Sequence, residues 1–129
     1  MYQTSSPEGR PGSPANEADE RARARAWAER LYAERRQRDD MFPDGLFGEP
    51  AWDLLLAMFI AHSKSQAMIL CKAYKAAGVS DTTGRRLLDR MEGDGLITRR
   101  RAPRSRKMRI VELTDLAVER LTDYLARGL

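Results

Sequence analysis

Apolar residues recur along this chain at helical spacing until Gly95, where the period shortens. Over residues 15–40, Ala24, Trp27, Ala28 and Leu31 fall on one helical face. Seven basic residues (Arg21, Arg23, Arg25, Arg30, Arg35, Arg36, Arg38) and seven acidic ones (Glu17, Asp19, Glu20, Glu29, Glu34, Asp39, Asp40) cover the rest and sum to zero. The pattern predicts one long helix with a narrow apolar seam and a salt-bridged exterior, stabilised mainly by packing on another surface. Asn16 is its expected N-cap, with Glu17, Asp19 and Glu20 at the positive end of the helix dipole. Pro43 and Gly45 stop it.

Residues 49–61 place Pro50 in a first turn, where its missing N–H costs nothing. Trp52, Leu54, Leu55, Leu56, Met58, Phe59 and Ile60 follow, apolar nearly all round, and predict a buried central helix that His62 ends. Ser65 is the expected cap of a short helix over 68–77, with Ile69, Leu70, Ala73 and Tyr74 inward and Gly78 as its stop. Ser80 caps a further helix over 81–93, whose inward face is Leu87, Leu88 and Met91. Beyond Gly95, Leu96 and Ile97 open one strand, and Met108, Ile110 and Leu113 are the half-buried positions of a second, so the two form a hairpin. Thr114 caps a last helix over 115–127 with Leu116, Val118, Leu121, Tyr124 and Leu125 apolar. Residues 1–14 hold three prolines, two glycines and three serines without periodicity and predict a disordered tail.

Composition narrows this picture. A chain of 129 residues fits one domain, 15–129, beside that tail. The net charge of +4 is mild, so the placement of charge says more than its sum. Cys71 is the only cysteine, which excludes an intramolecular disulfide and argues against a thiolate zinc cluster. No cofactor or metal is expected. With no apolar run of transmembrane length and no signal-peptide pattern, the expected compartment is the reducing cytoplasm, in association with the nucleoid, and no membrane partner is expected. A single histidine, no glycine-rich phosphate loop and no paired nucleophile and base leave little for an enzyme to work with.

The candidate chemistry lies at Gly78-Val79-Ser80-Asp81-Thr82-Thr83. A helix ends at glycine, a tight turn follows, and a serine opens the next helix, which is the pattern of a helix-turn-helix. The first turns of that second helix offer Thr82, Thr83, Arg85 and Arg86. Arginine can donate two hydrogen bonds to guanine in a major groove about 12 Å wide, and hydroxyls and backbone N–H groups can hold phosphates. From Leu96 to Val111 there are seven basic residues and no acidic one: Arg99, Arg100, Arg101, Arg104, Arg106, Lys107 and Arg109. Such a hairpin suits a minor groove and phosphates.

The stretch GVSDTTGRRLLDRMEGDGLITRR, followed by VELT, resembles the MarR-type winged-helix regulators, and the resemblance runs from about Phe47 to Leu125. It implies a mainly α fold with a small β-hairpin: a DNA-binding winged helix-turn-helix over 65–113, with dimerisation helices at 15–41 and 115–129. It places Ser80, Thr82, Thr83, Arg85, Arg86 and Arg90 in or at a recognition helix spanning 81–93. It places Arg101, Arg104, Arg106 and Lys107 in a basic wing, 99–109. The implied function is a homodimeric, sequence-specific regulator of transcription on double-stranded DNA, a repressor in the leading reading, open to a small-molecule effector. The alternative is a winged-helix adaptor that binds protein and reads no DNA.

Two positions depart from the family pattern. Where its wing carries Asp-x-Arg, this chain has Ser105 and Lys107. Either Arg104 or Arg106 takes the groove, or the wing grips phosphates only. Gly84 stands where a larger apolar residue is common; it weakens the helix by about 1 kcal/mol relative to alanine and permits closer helix packing. Cys71 has two readings, an effector or redox sensor and a buried structural thiol, and its apolar neighbours favour the second. Trp27 and Trp52 are expected as anchors of the core or of an interface.

Overall fold

The computed structural model describes residues 14–42, 49–105 and 107–127. The apolar seam of the first helix is real and narrow: Ala24 and Ala28 are fully buried, and Trp27 and Leu31 pack beside them. This helix, α1 (Pro14–Met41), lies along two others, α2 (Pro50–Ser63) and α5 (Asp115–Ala126). Pro14 opens it, so Asn16 sits inside the first turn and is not the cap. The rest of the expected tail, and the expected stops Pro43 and Gly45, lie outside the described residues. Small residues on the seam let α2 approach closely, and Leu54, Leu56, Met58 and Phe59 fill the centre of the molecule, each nearly inaccessible.

The connection after α2 departs from expectation. Ser65 caps nothing; it adopts the left-handed region at φ 55° in the turn that closes α2. Met68 and Ile69 are not the start of a helix but a two-residue strand, β1 (Met68–Ile69), and α3 (Leu70–Ala77) follows from an extended Ile69 with no side-chain cap. Helical spacing cannot reveal this, because the pairing partners are Val111 and Ile110, some forty residues away. Gly78 ends α3 in the left-handed conformation at φ 71°. The Gly78 N–H donates to the Lys75 carbonyl and that of Val79 to Tyr74, the hydrogen bonding of a glycine-terminated helix.

Ser80 then caps α4 (Asp81–Gly93), accepting a hydrogen bond from the Thr83 N–H. Leu88 and Met91 are buried and Leu87 partly so, as the period requires. Gly84 is buried against Tyr74 of α3: a Cβ there would stand 2.6 Å from Tyr74 Cε1 and 2.9 Å from Cγ. The glycine therefore sets the closeness of the two helices.

Strands β2 (Ile97–Arg101) and β3 (Arg109–Leu113) pair antiparallel with Ile97 opposite Leu113 and Arg101 opposite Arg109. The expected hairpin is thus the larger part of a three-stranded sheet in the order β1-β3-β2. As the central strand, β3 is covered on both faces: Val111 and Leu113 join the core, and Ile110 is buried on the opposite side. Met108 falls before the strand and is exposed. Thr114 caps α5 by accepting from the Ala117 N–H, and its hydroxyl donates to the Gly95 carbonyl at 2.7 Å, tying the start of α5 to the turn before β2. Leu121 and Leu125 are buried as expected, whereas Leu116 and Tyr124 are 41% and 48% exposed. Tyr124 meets the edge of Trp52 with ring centroids 5.9 Å apart.

One charged residue breaks the apolar pattern of α2. Asp53 is 2% exposed, and α1 answers it with both Arg35 and Arg36. These two arginines are therefore not on a solvated face.

Candidate nucleic-acid interface

The turn from Gly78 to Ser80 delivers α4 with its first residues outward. Asp81, Thr82 and Thr83 are exposed, and so are Arg85 and Arg86 on the next turn. The Ser80 hydroxyl is committed to the cap and also contacts Thr83 Oγ1 at 3.3 Å. Its role is to hold the helix start by taking up the Thr83 N–H. Neither Arg85 nor Arg86 has an ion-pair partner among the described residues. Arg90 is exposed and reaches Asp94 at 3.3 Å, a weak i,i+4 pair.

Along the hairpin, the six cations among the described residues divide into two groups. Arg99 is held at 2.7 Å by Asp89 and at 2.5 Å by Glu92, both from α4. The hydrogen bond to Asp89 is the main cause that holds its guanidinium above the ordinary arginine value. Arg100 pairs with Glu112 across the hairpin at 2.8 Å. That hydrogen bond raises Arg100 and lowers Glu112 below the usual carboxylate range, against an opposing effect of burial. The stretch from Leu96 to Val111 is free of acids, yet two of its arginines are paired with carboxylates from outside it. Glu112 lies one residue past the acid-free run, and Asp89 and Glu92 reach the strand only through the fold.

Arg101, Arg104, Lys107 and Arg109 are exposed and carry no ion pair among the described residues. Arg106 lies outside them. At the position of the missing acid, Ser105 Oγ accepts from the N–H groups of Lys107 and Met108, each at 3.3 Å. It shapes the backbone of the wing tip. A groove of about 420 Å³ runs between α4 and the wing, with Arg85 on one wall and Arg109 on the other.

Cys71 is exposed on α3, so the buried-thiol reading is wrong. Of its apolar sequence neighbours, Ala73 is buried in the core and Leu70 packs against it, while Cys71 is left exposed. Among the described residues no helix is long and apolar enough to cross a membrane.

No protein-family model matches the chain, and no curated protein matches it either. Solved structures do match in shape. The PcaV transcriptional regulator from Streptomyces coelicolor, crystallised with its natural ligand, aligns over 90% of this chain and 72% of its own at 16% identity and a TM-score of 0.50. The chain shares the fold of this regulator, a mainly helical winged helix with a small antiparallel sheet. RV1404 from Mycobacterium tuberculosis aligns over 82% of this chain at 21% identity and a TM-score of 0.49. Bordetella bronchiseptica BpsR, whose DNA binding is regulated by 6-hydroxynicotinic acid, aligns over 79% of this chain and 80% of its own at 21% identity and a TM-score of 0.43. The chain spans 63% of the length of RV1404, less than two thirds. In this winged helix α3 and α4 are the helix-turn-helix and β2 and β3 the wing.

Proposed function

We propose that this winged helix is a sequence-specific, double-stranded-DNA-binding regulator of transcription that acts as a homodimer, with repression its default sign. The observation that carries the reading is the sorting of arginines by the fold. Arg99 and Arg100 are neutralised by the protein's own carboxylates, while Arg85 and Arg86 on α4 and Arg101, Arg104 and Lys107 on the wing stay exposed and unpaired among the described residues. In the proposed pose the start of α4 enters the major groove, where Thr82, Thr83, Arg85 and Arg86 meet base edges and phosphates. Arg90, further along α4, reaches the backbone. The wing, 99–109, lies on the flanking minor groove and phosphates. This is a binding function, with no catalytic step assigned.

Helices α1 and α5 supply the dimer contact in this reading, with Leu116 and Tyr124 of α5 as exposed apolar residues it would cover. An open, mainly apolar cavity of about 560 Å³ between α2 and α5, lined by Trp52, Leu55, Leu121 and Tyr124 together with the charged Glu49 and Arg120, is the candidate effector site.

Selection from a random duplex pool followed by mobility-shift titration tests the proposal. A two-fold-related pair of half-sites one or more helical turns apart is expected. Arg86→Ala should relax the base preference at one position, and Lys107→Ala should weaken all sequences alike. Recovery of no enriched sequence, with no duplex binding at low salt, would refute it and favour an adaptor that binds protein.

A further inference from the structure

The buried carboxylate of Asp53 has two cationic partners from consecutive residues of α1, and they do different things. Arg35 meets one oxygen through its Nε and reaches outward to Glu49 at 3.7 Å. Arg36 meets the other oxygen through Nη2 at 2.5 Å, shares that nitrogen with Asp39 at 2.8 Å, and lies over the Tyr32 ring at 5.4 Å. Its second terminal nitrogen, Nη1, comes 3.3 Å from the point where a Cβ on Gly78 would stand. Gly78 is the left-handed residue that turns the chain from α3 into α4. One turn earlier on α1, the Tyr32 hydroxyl donates to the Ala76 carbonyl at the end of α3 at 3.2 Å. The C-terminal half of α1 thus contacts the end of α3 through Tyr32 and brings Arg36 close beside the turn that follows, and Asp53 holds Arg36 there.

The Nε of Arg36 is buried with no hydrogen-bond partner among the described residues. An unsatisfied buried donor is unfavourable, and a single arginine would have neutralised Asp53. The arrangement therefore makes sense as positioning.

We propose that Arg36, oriented by Asp53, is a positioning residue that sets the angle of the helix-turn-helix relative to α1. Resting on the DNA-binding reading above, this makes α1 the element that fixes how far apart a dimer presents its two α4 helices. No base or phosphate contact by Arg36 is involved.

Arg35 provides the control, since it neutralises the same carboxylate without touching the turn. The test compares Arg36→Met, Arg36→Lys and Arg35→Met in the full chain. Without DNA, hydrogen exchange at the Gly78 and Val79 amides is measured relative to amides in the middle of α4. Both Arg36 variants should accelerate it about tenfold, and Arg35→Met should leave that ratio unchanged. Arg36→Lys keeps a charge for Asp53 and so guards against a simple failure to fold. With the selected duplex, the Arg36 variants should lose about fivefold to tenfold in affinity for it, broaden the accepted half-site spacing and keep wild-type affinity for random duplex. Equal effects of Arg35→Met and Arg36→Met on the exchange ratio, or no effect of either, would overturn the proposal. If the wild-type protein binds no duplex, the function proposed above fails, and the exchange contrast still decides whether Arg36 positions the turn.

Discussion

At Gly84 two opposing energies of similar size meet. Alanine would favour the helical backbone by about 1 kcal/mol at that position. Its methyl group would also intrude on the Tyr74 ring near Cε1 and Cγ, in a side chain only 6% exposed that cannot swing away. Overpacking of that kind costs about 1–3 kcal/mol, so the clash should win. Gly84→Ala is expected to lower the melting temperature and to shift α4 relative to α3, as seen by thermal denaturation and by changed chemical shifts around Tyr74. A rise in melting temperature would show that α3 and α4 have slack. The sequence signalled that this glycine allowed close packing, because a glycine within a strong helical period needs a reason. It did not signal Asp53. A lone acid within an apolar run says nothing by itself of two arginines seventeen and eighteen residues upstream, and their salt-bridged side of α1 looked solvated. Cys71 failed for a related reason: apolar neighbours in sequence do not fix which way a helical residue faces.

For single elements, local chemistry was the best guide. Ser80 and Thr114 were legible as caps because capping joins residues three apart, and both accept the backbone hydrogen bond their positions require. Strand β1 was not legible, since its two residues are extended only by pairing with β3. The wing falls between these cases. Its basic character is plain, but the division of labour among its arginines comes from α4 and from the register that sets Arg100 near Glu112.

That register gives the hairpin a pH dependence. The hydrogen bond from Arg100 is the largest cause lowering Glu112 below its usual 4.5, followed after an opposing effect of burial by the charges of Arg100 and His62. A lowered carboxylate contributes stability that is present above the unfolded value and is lost as pH falls through the folded one. The contribution is small, because both side chains are nearly half exposed. In Arg100→Met, the Glu112 titration followed by NMR should move up toward 4.5, and the acid unfolding midpoint should rise slightly. An unmoved Glu112 midpoint would mean that the pair does not persist in solution.

For the whole molecule, charge and apolar exposure make separate predictions. Arg85, Arg86, Arg101, Arg104, Lys107 and Arg109 are the exposed cations of the proposed interface. Duplex affinity should therefore fall linearly with the logarithm of salt, and Lys107→Ala should reduce that slope by about 0.9 if it neutralises one phosphate. Leu116, at 41% exposure on α5, should resist substitution for a different reason. Leu116→Glu is expected to raise the dimer dissociation constant by about tenfold or more in sedimentation equilibrium, with little change in the monomer's fold. A monomeric wild-type chain at micromolar concentration would remove the dimer from the proposed function.

The sequence alone determined what depends on near neighbours: five helices from a 3.6-residue period, a hairpin from its change, two serine or threonine caps, a glycine stop and a basic wing. Those features rest on contacts within a few residues, so the chain states them directly. Tertiary structure decided the rest. It gave β1 a partner, turned Cys71 outward, took Arg99 and Arg100 into ion pairs, and set Arg36 between a buried aspartate and the turn that carries α4. The reason is distance: each of these outcomes joins residues at least seven apart, or depends on which face of a helix is covered, and no local pattern encodes that.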